Sequence, residues 1–339
     1  MANLPKIRRG QGRGPLPAET SAEVRDRPDV QRLEAFGLTW LNIESPTELE
    51  TAWLAEHYEF HPLDLEDVLS RRRQRAKIDE YADYLFIVLH FPRFDKRTGR
   101  LQAAELNVFV AEDLVITLPN EPLKPLSALW SRCERGEDAR ERYMSKGSGY
   151  LLYEVVDTMY DYCFPILDKI GFKLDAIEDA LFEGESDSDD LVRDISNLKQ
   201  EIINYRKIVK PQRPTLRLLE RGNQRYAPQD LEIYFDDIVD KSERIWDLLE
   251  NYKEVAEALE ATNESLISHR VNDILRVLTA ISVVVLPLTM IASVFGMNVG
   301  LPGGGDPVGG ASVSFWAIIG VMLAVLVGMV AYFRYKRWL

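Results

Sequence analysis

Gly296-Met297-Asn298 lies near the end of a stretch without charged residues, 277–305, and just before a second one, 307–333. A glycine lets backbone come close, and an amide side chain can hydrogen-bond the waters of a hydrated cation without stripping them. Mg²⁺ releases its waters reluctantly and prefers oxygen ligands, so this pairing suits it. Stepping back from the tripeptide by three or four residues, Asn272, Leu275, Leu278, Ser282, Leu286, Thr289 and Ser293 fall close to one helical stripe; only the step to Asn298 is five. Rings of Leu275, Leu278 and Leu286 from several copies could close a path by dewetting, and Ser282 and Thr289 would line it with neutral oxygens. Serines and threonines also hold membrane helices together, and spacing alone leaves both readings open. The other face carries Ile281, Val284, Val285, Leu288 and Ile291, which suits lipid or neighbouring helices. Proton relays and strongly ion-paired transporters keep an acid or base inside the membrane. Neither charge-free run holds one.

The elements needed to position these residues follow from length and charge. Each run exceeds the ~20 helical residues that cross a bilayer. The expectation is a transmembrane hairpin: a first span over 277–296, an external loop over 297–312 and a second span over 313–334. Two spans cannot enclose a polar path, so a pore needs several copies. Arg270 and Arg276 precede the first span, Arg334, Lys336 and Arg337 follow the second, and 299–312 has neither Lys nor Arg. Positive charge stays inside, so both termini are expected in the cytoplasm, in a plasma or inner membrane. Trp316 and Trp338 suit the two interfaces.

Upstream, residues 229–295 are interrupted only by Pro287. At 1.5 Å per residue this predicts roughly 100 Å of helix, a stalk over 229–276 continuing into the first span. Residues 31–145 read as a cytosolic α/β domain, with strands over 38–43, 84–94, 106–110 and 114–118. A turn over 95–99 and helices beginning at 45 and over 60–70 accompany them. Ser45 is expected to cap the first helix, with Pro46 at its first position. Residues 146–228 read as long antiparallel helices, over 148–183 and 189–220, the second bent by Pro211 and Pro214. Residues 1–30 read as a mobile basic tail without the apolar segment of a signal peptide, and 335–339 as a short basic tail. The fold class is therefore an α+β membrane protein.

The formal charge of −13, from 41 basic and 54 acidic residues, argues against a nucleic-acid binder and for a body that concentrates cations. Cys133 and Cys163 have neither disulfide-framework nor metal-ligand spacing. No phosphate loop, nucleophile elbow or HExxH is present, so an enzyme is not expected. Two acidic clusters, Asp64/Glu66/Asp67 and Asp236/Asp237/Asp240, read either as solvated helix faces or as metal ligands. His57 and His61 lie four apart, a spacing open to zinc, although His61 before Pro62 reads as structural and His57 as exposed.

With these residues in place, the chain resembles the CorA family of divalent cation transporters. The resemblance rests on Gly296-Met297-Asn298, the preceding Pro287-Leu288-Thr289, His61-Pro62-Leu63 with Leu65-Glu66-Asp67, Tyr84-Leu85-Phe86-Ile87-Val88, Tyr234-Phe235-Asp236-Asp237 and the aromatic-basic end; it spans 38–339. It implies a homopentameric funnel in the lipid bilayer. The first span would line the pore, and Gly296, Met297 and Asn298 would form the outer selectivity filter. It further implies that Asp67 and Asp237 hold regulatory Mg²⁺ between neighbouring subunits and keep the channel closed. The expected function is Mg²⁺ influx, with Co²⁺ and Ni²⁺ as further ions. The outer loop departs from the Met-Pro-Glu pattern of many Mg²⁺ members: it is rich in glycine, and Asp306 is its only acid. That loop is similar to the ZntB-like branch, so Zn²⁺ transport is the alternative. A membrane-anchored cation sensor without flux is an alternative of another class.

Overall fold

In the computed structural model, residues 27–70, 74–95, 97–183, 188–222, 231–295 and 313–336 are described. The chain divides into two compact units. The first comprises residues up to Gly171 together with Gln200–Asn251, and the second Phe172–Lys199 together with Tyr252–Leu339.

The first unit is built on six strands: β1 (Gln31–Ala35), β2 (Leu38–Asn42), β3 (Lys77–Glu80), β4 (Leu85–Asp95), β5 (Arg100–Val110) and β6 (Leu114–Pro119). They form one sheet in the order β1-β2-β6-β5-β4-β3. Every pairing is antiparallel except β2 with β6. The turn between β1 and β2 is two residues, Phe36 and Gly37, both at positive φ (53° and 77°). That is the backbone twist a tight hairpin requires. At the β4–β5 turn, Asp95 accepts from the Arg97 N–H and the Thr98 hydroxyl, and Gly99 takes φ 64°.

The strands are buried on both faces because helices cover both. On one side lie α1 (Glu48–His57) and α2 (Pro62–Leu69), whose Leu54 and Val68 pack with Leu41, Phe86, Val88, Phe109 and Ile116. On the other lie α3 (Lys124–Arg135), α4 (Glu137–Met144) and α5 (Ser148–Asp161). There Trp130 meets Trp40 edge-on at 4.8 Å, and Tyr160 meets Phe91 at 5.6 Å. Double coverage explains why β4 is a continuous apolar run and not an alternating one.

Four local expectations are corrected. Thr47, not Ser45, caps α1: its side chain and that of Glu50 bond each other's backbone N–H in a capping box. Ser45 instead adopts φ 56° and donates its N–H to the Pro119 carbonyl at 2.8 Å. The helix expected over 148–183 breaks at Tyr162 into α5 and α6 (Cys163–Glu183). Pro165 has no N–H to continue the ladder, so it is accommodated in the first turn of a new helix. The carbonyl of Cys163 finds a partner in the Tyr205 hydroxyl, at 2.9 Å. The second long helix is α7 (Ser188–Val209), followed by a tight turn at Lys210–Gln212 and α8 (Arg213–Gly222). Pro211 and Pro214 thus divide it rather than merely bend it. Of the expected stalk, 229 and 230 lie outside the described residues and Leu231 precedes the helix: α9 runs from Glu232 to Phe295, 64 residues, and passes through Pro287.

In the second unit, α6 and α7 bury Leu174, Ile177, Leu181, Leu191, Ile195 and Leu198 at helical spacing, and Lys199 pairs with Glu260 of α9. Further along α9, Ala280, Val284 and Leu288 pack against Leu326, Met329 and Phe333 of α10 (Val313–Tyr335). Outside that contact the apolar halves of both helices are open: Ile281 is 53 % exposed, Met290 66 %, Leu323 61 %. Apolar surface on this scale is what a lipid-facing helix presents.

Candidate ion pathway and regulatory site

The packed residues of α9, Ala280, Val284 and Leu288, recur every four positions and fix one side of the helix. At about 100° per residue, Leu275, Leu278, Ser282, Leu286, Thr289 and Ser293 centre roughly opposite that side. All six are exposed, as is Asn272, which lies toward the edge of the stripe. The stripe is therefore the α9 surface turned away from α10.

The hydroxyls on this face are oriented. Ser282 donates to the Leu278 carbonyl at 2.9 Å, Thr289 to Val285 at 2.9 Å, and Thr279, which the sequence reading had left out, to Leu275 at 2.7 Å. Each proton is held by the carbonyl one turn earlier, so the free lone pairs of the oxygens point outward. Such oxygens accept hydrogen bonds from water, including water already bound to a cation. Pro287 has no N–H for the Val283 carbonyl, which adds one more neutral oxygen at this level of α9. Gly296, Met297, Asn298 and Asp306 lie outside the described residues.

The acidic segment around α2 resolves into distinct roles. His61 caps α2, its Nδ1 accepting from the Leu63 N–H at 3.2 Å, with Pro62 at the first position. Asp64 is buried and accepts from the Tyr84 hydroxyl at 2.8 Å and the Tyr81 hydroxyl at 3.0 Å. It is a core group, not part of a solvated face. Glu66 is exposed. Asp67 is engaged on both oxygens: Gln74 Nε2 at 2.8 Å and Lys77 Nζ at 2.7 Å. His57 is stacked on Trp53 at 4.2 Å and bonded through Nδ1 to the Trp53 carbonyl, so it does not form a pair with His61.

Burial pushes the Asp64 carboxyl up, against the downward pull of the Tyr84 and Tyr81 hydroxyls. The folded chain therefore holds this proton more tightly than the unfolded chain. The stabilisation is present below the unfolded value and is lost as pH rises through the folded one. Asp64→Asn should accordingly gain stability relative to wild type as pH is raised from mildly acidic to neutral. Thermal melts of both chains across that range would test it, and parallel curves would reject it.

Asp237 sits near the start of α9, about half exposed, with the ammonium of Lys241 at 3.4 Å. Lys241 is shared: Asp157 of α5 lies at 2.5 Å and Asp161 at 2.8 Å. Burial alone would lower the Lys241 pKa, but the bonds to Asp157 and Asp161 outweigh it and the net direction is up. Lys241 is thus a fixed counter-ion joining α9 to α5. Sequence reasoning missed both lysines, because nothing in the spacing of Lys77 or Lys241 signals a carboxylate brought from elsewhere. Among the described residues, no three His, Cys, Asp or Glu side chains come together in a way that could hold a metal ion. Asp67 and Asp237 belong to no such group within one chain.

The comparisons agree on one family. The family model described as "CorA-like Mg2+ transporter protein" matches residues 36–337. The chain is similar to the "Putative metal ion transporter YfjQ" of Bacillus subtilis, 28 % identical over 311 residues, covering 91 % of this chain and 93 % of that one. It is also 28 % identical to the "Cobalt/magnesium transport protein CorA" of Thermotoga maritima, over 89 % of this chain and 83 % of the relative. Among solved structures, the complete CorA magnesium transporter of Methanocaldococcus jannaschii superposes with a TM-score of 0.77 at 20 % identity, covering 91 % of this chain and 93 % of that one. With the family model running from β2 through the long helix α9 to α10, the chain belongs to the CorA-like Mg²⁺ transporter family.

Proposed function

We propose that the chain is a channel-like transporter that moves divalent cations across a cell membrane, with Mg²⁺ entering down the membrane potential. The observation that carries this reading is the uncharged α9 stripe opposite the α10 contact, with hydroxyl protons held internally and oxygens facing out. In a ring of copies, most simply a homopentamer, that stripe faces the axis. Neutral oxygens then greet a hydrated ion without binding it too tightly to leave. The names of the relatives, magnesium and cobalt/magnesium transporters, support Mg²⁺ and Co²⁺ as cargo. A divalent ion gains about 2.3 kcal/mol per charge per 100 mV, and twice that in all, on moving inward. Both termini lie in the cytoplasm, and Gly296, Met297 and Asn298 form the outer filter. Flux into liposomes of Mg²⁺, Co²⁺, Ni²⁺ and Zn²⁺, with and without a proton gradient, tests the reading. Zn²⁺ flux that needs the gradient, with no Mg²⁺ flux, would favour the zinc alternative instead. A sealed, correctly assembled oligomer that carries none of the four would leave only a sensor.

Gating by cytosolic Mg²⁺ belongs to the same proposal. Asp67 and Asp237 offer the hard carboxylate oxygens that Mg²⁺ prefers. Among the described residues no cage forms within one chain, and in this reading the two acids meet across a subunit boundary. Each is already engaged by a lysine, Lys77 for Asp67 and Lys241 for Asp237. The ion must compete with these ammoniums, which sets the concentration at which the latch closes. Asp67→Asn with Asp237→Asn should remove Mg²⁺-dependent protection of the cytosolic part from protease and relieve inhibition of transport. Lys241→Met should act in the opposite sense, moving the protection midpoint to lower Mg²⁺. A midpoint unchanged in both variants would take these residues out of the sensor.

A further inference from the structure

In the first unit, a cavity of about 810 Å³ opens where the turn end of β4 and β5 meets the end of α7, and its composition runs against that of the chain. The net charge is −13, yet Arg75, Arg100 and Lys207 line this cavity and, among the described residues, no carboxylate does. Nearby cations are neutralised: Lys77 by Asp67 and Asp79, Arg93 by Glu121, Arg206 by Glu250, Arg213 by Glu243. Arg75, Arg100 and Lys207 have no such partner among the described residues. Two acids lie next to the wall and both are occupied: Asp95 within its own turn by Arg97, Thr98 and Gln102, and Glu105 by His90, the Gln74 N–H and Asn107.

The His90 side chain, 9 % exposed, turns to the Glu105 carboxylate, with Nε2 3.4 Å from Oε2. Gln212 accepts from the His90 N–H at 2.8 Å and donates to its carbonyl at 2.5 Å, which clamps the backbone of β4 there. The remaining wall is of two kinds. Gln74 and Asn204 bring amides, and Leu101, Ile208 and Pro211 bring apolar surface.

Size and chemistry together define a ligand class. Small-molecule sites occupy roughly 300–1,000 Å³ and are mostly apolar with a few polar groups. A lone phosphate would leave most of this space unfilled. Three uncompensated cations call for a ligand with several negative charges, and the apolar wall with its amides suits a flat heterocycle. We propose that this cavity binds a nucleoside di- or triphosphate, with the phosphates at Arg75, Arg100 and Lys207 and the base against Leu101, Ile208 and Pro211. The site is separate from the α9 stripe and does not depend on the transport reading.

The test is calorimetric titration of the full chain, assembled in detergent, with ATP, ADP, AMP and inorganic tripolyphosphate, at a buffered and constant free Mg²⁺ concentration. ATP and ADP should bind, AMP more weakly. Each of Arg75→Ala, Arg100→Ala and Lys207→Ala should weaken ATP about tenfold, ~1.4 kcal/mol. Arg217→Ala, which removes an exposed cation outside the cavity, should leave binding unchanged, and Arg100→Lys should restore part of what Arg100→Ala loses. Absence of ATP binding to the wild type would overturn the proposal, as would wild-type affinity in all three alanine variants. Tripolyphosphate binding as tightly as ATP would overturn the assignment of the base wall. Lys207 and Arg100 are exposed, so these single variants should fold even if a combined one does not.

Discussion

Asn298→Ala is expected to abolish Mg²⁺ uptake while the oligomer still assembles. In the proposed pathway Asn298, three residues past the end of α9 in sequence, stands at the outer mouth; it lies outside the described residues. At that level a hydrated ion leaves bulk water, and only groups that hydrogen-bond its waters can replace what it loses. Alanine offers no such group. The change removes no packing seen between α9 and α10, whose contact is made by Ala280, Val284 and Leu288, so assembly should be preserved. Uptake assayed per assembled oligomer separates the two effects. Normal uptake by a correctly assembled Asn298→Ala chain would remove Gly296-Met297-Asn298 from the filter.

Leu278→Asn is expected to produce a leak that persists at high internal Mg²⁺. Leu278 is 58 % exposed on the side of α9 away from Val284. In the proposed pathway a ring of leucines there would exclude a hydrated ion by excluding its water. An amide at the same position admits water. Lowering the barrier by only ~1.4 kcal/mol raises the rate tenfold, so a leak of at least that order should be seen. Val284→Asn is the matched control. Val284 is 9 % exposed and packs on α10, so a polar group there should reduce the yield of assembled protein without opening a path. A leak from Val284→Asn with wild-type flux in Leu278→Asn would mean that the path lies on the other side of α9. Ser282 and Thr289 would then cease to be pore residues.

Much of this molecule is legible before any coordinates. The two apolar runs, the long helix and the turn at 95–99 depend on local rules: lipid tolerates no stray charge, helices repeat every 3.6 residues, and a tight turn needs its glycine. The capping of α2 by His61 with Pro62 behind it is equally local. What required the tertiary structure is whatever depends on a distant partner. β1 and β3 are short edge strands, and Lys77-Ile78-Asp79-Glu80 carries a single aliphatic residue; β3 exists because β4 offers it an unpaired edge. The parallel pairing of β2 with β6 joins strands more than seventy residues apart and leaves no mark on either. Among the acids of 64–67, sequence could not separate Asp64, buried under two tyrosines, from Asp67, held by Lys77. Those partners arrive from β3 and from Tyr81 and Tyr84 only after folding. The same holds for Lys241, which looks like one more solvated lysine until α5 brings Asp157 and Asp161 beside it. Periodicity drew the stripe on α9, but α10 decided which side of that helix is already occupied, because packing partners are chosen by shape and area that no single segment encodes.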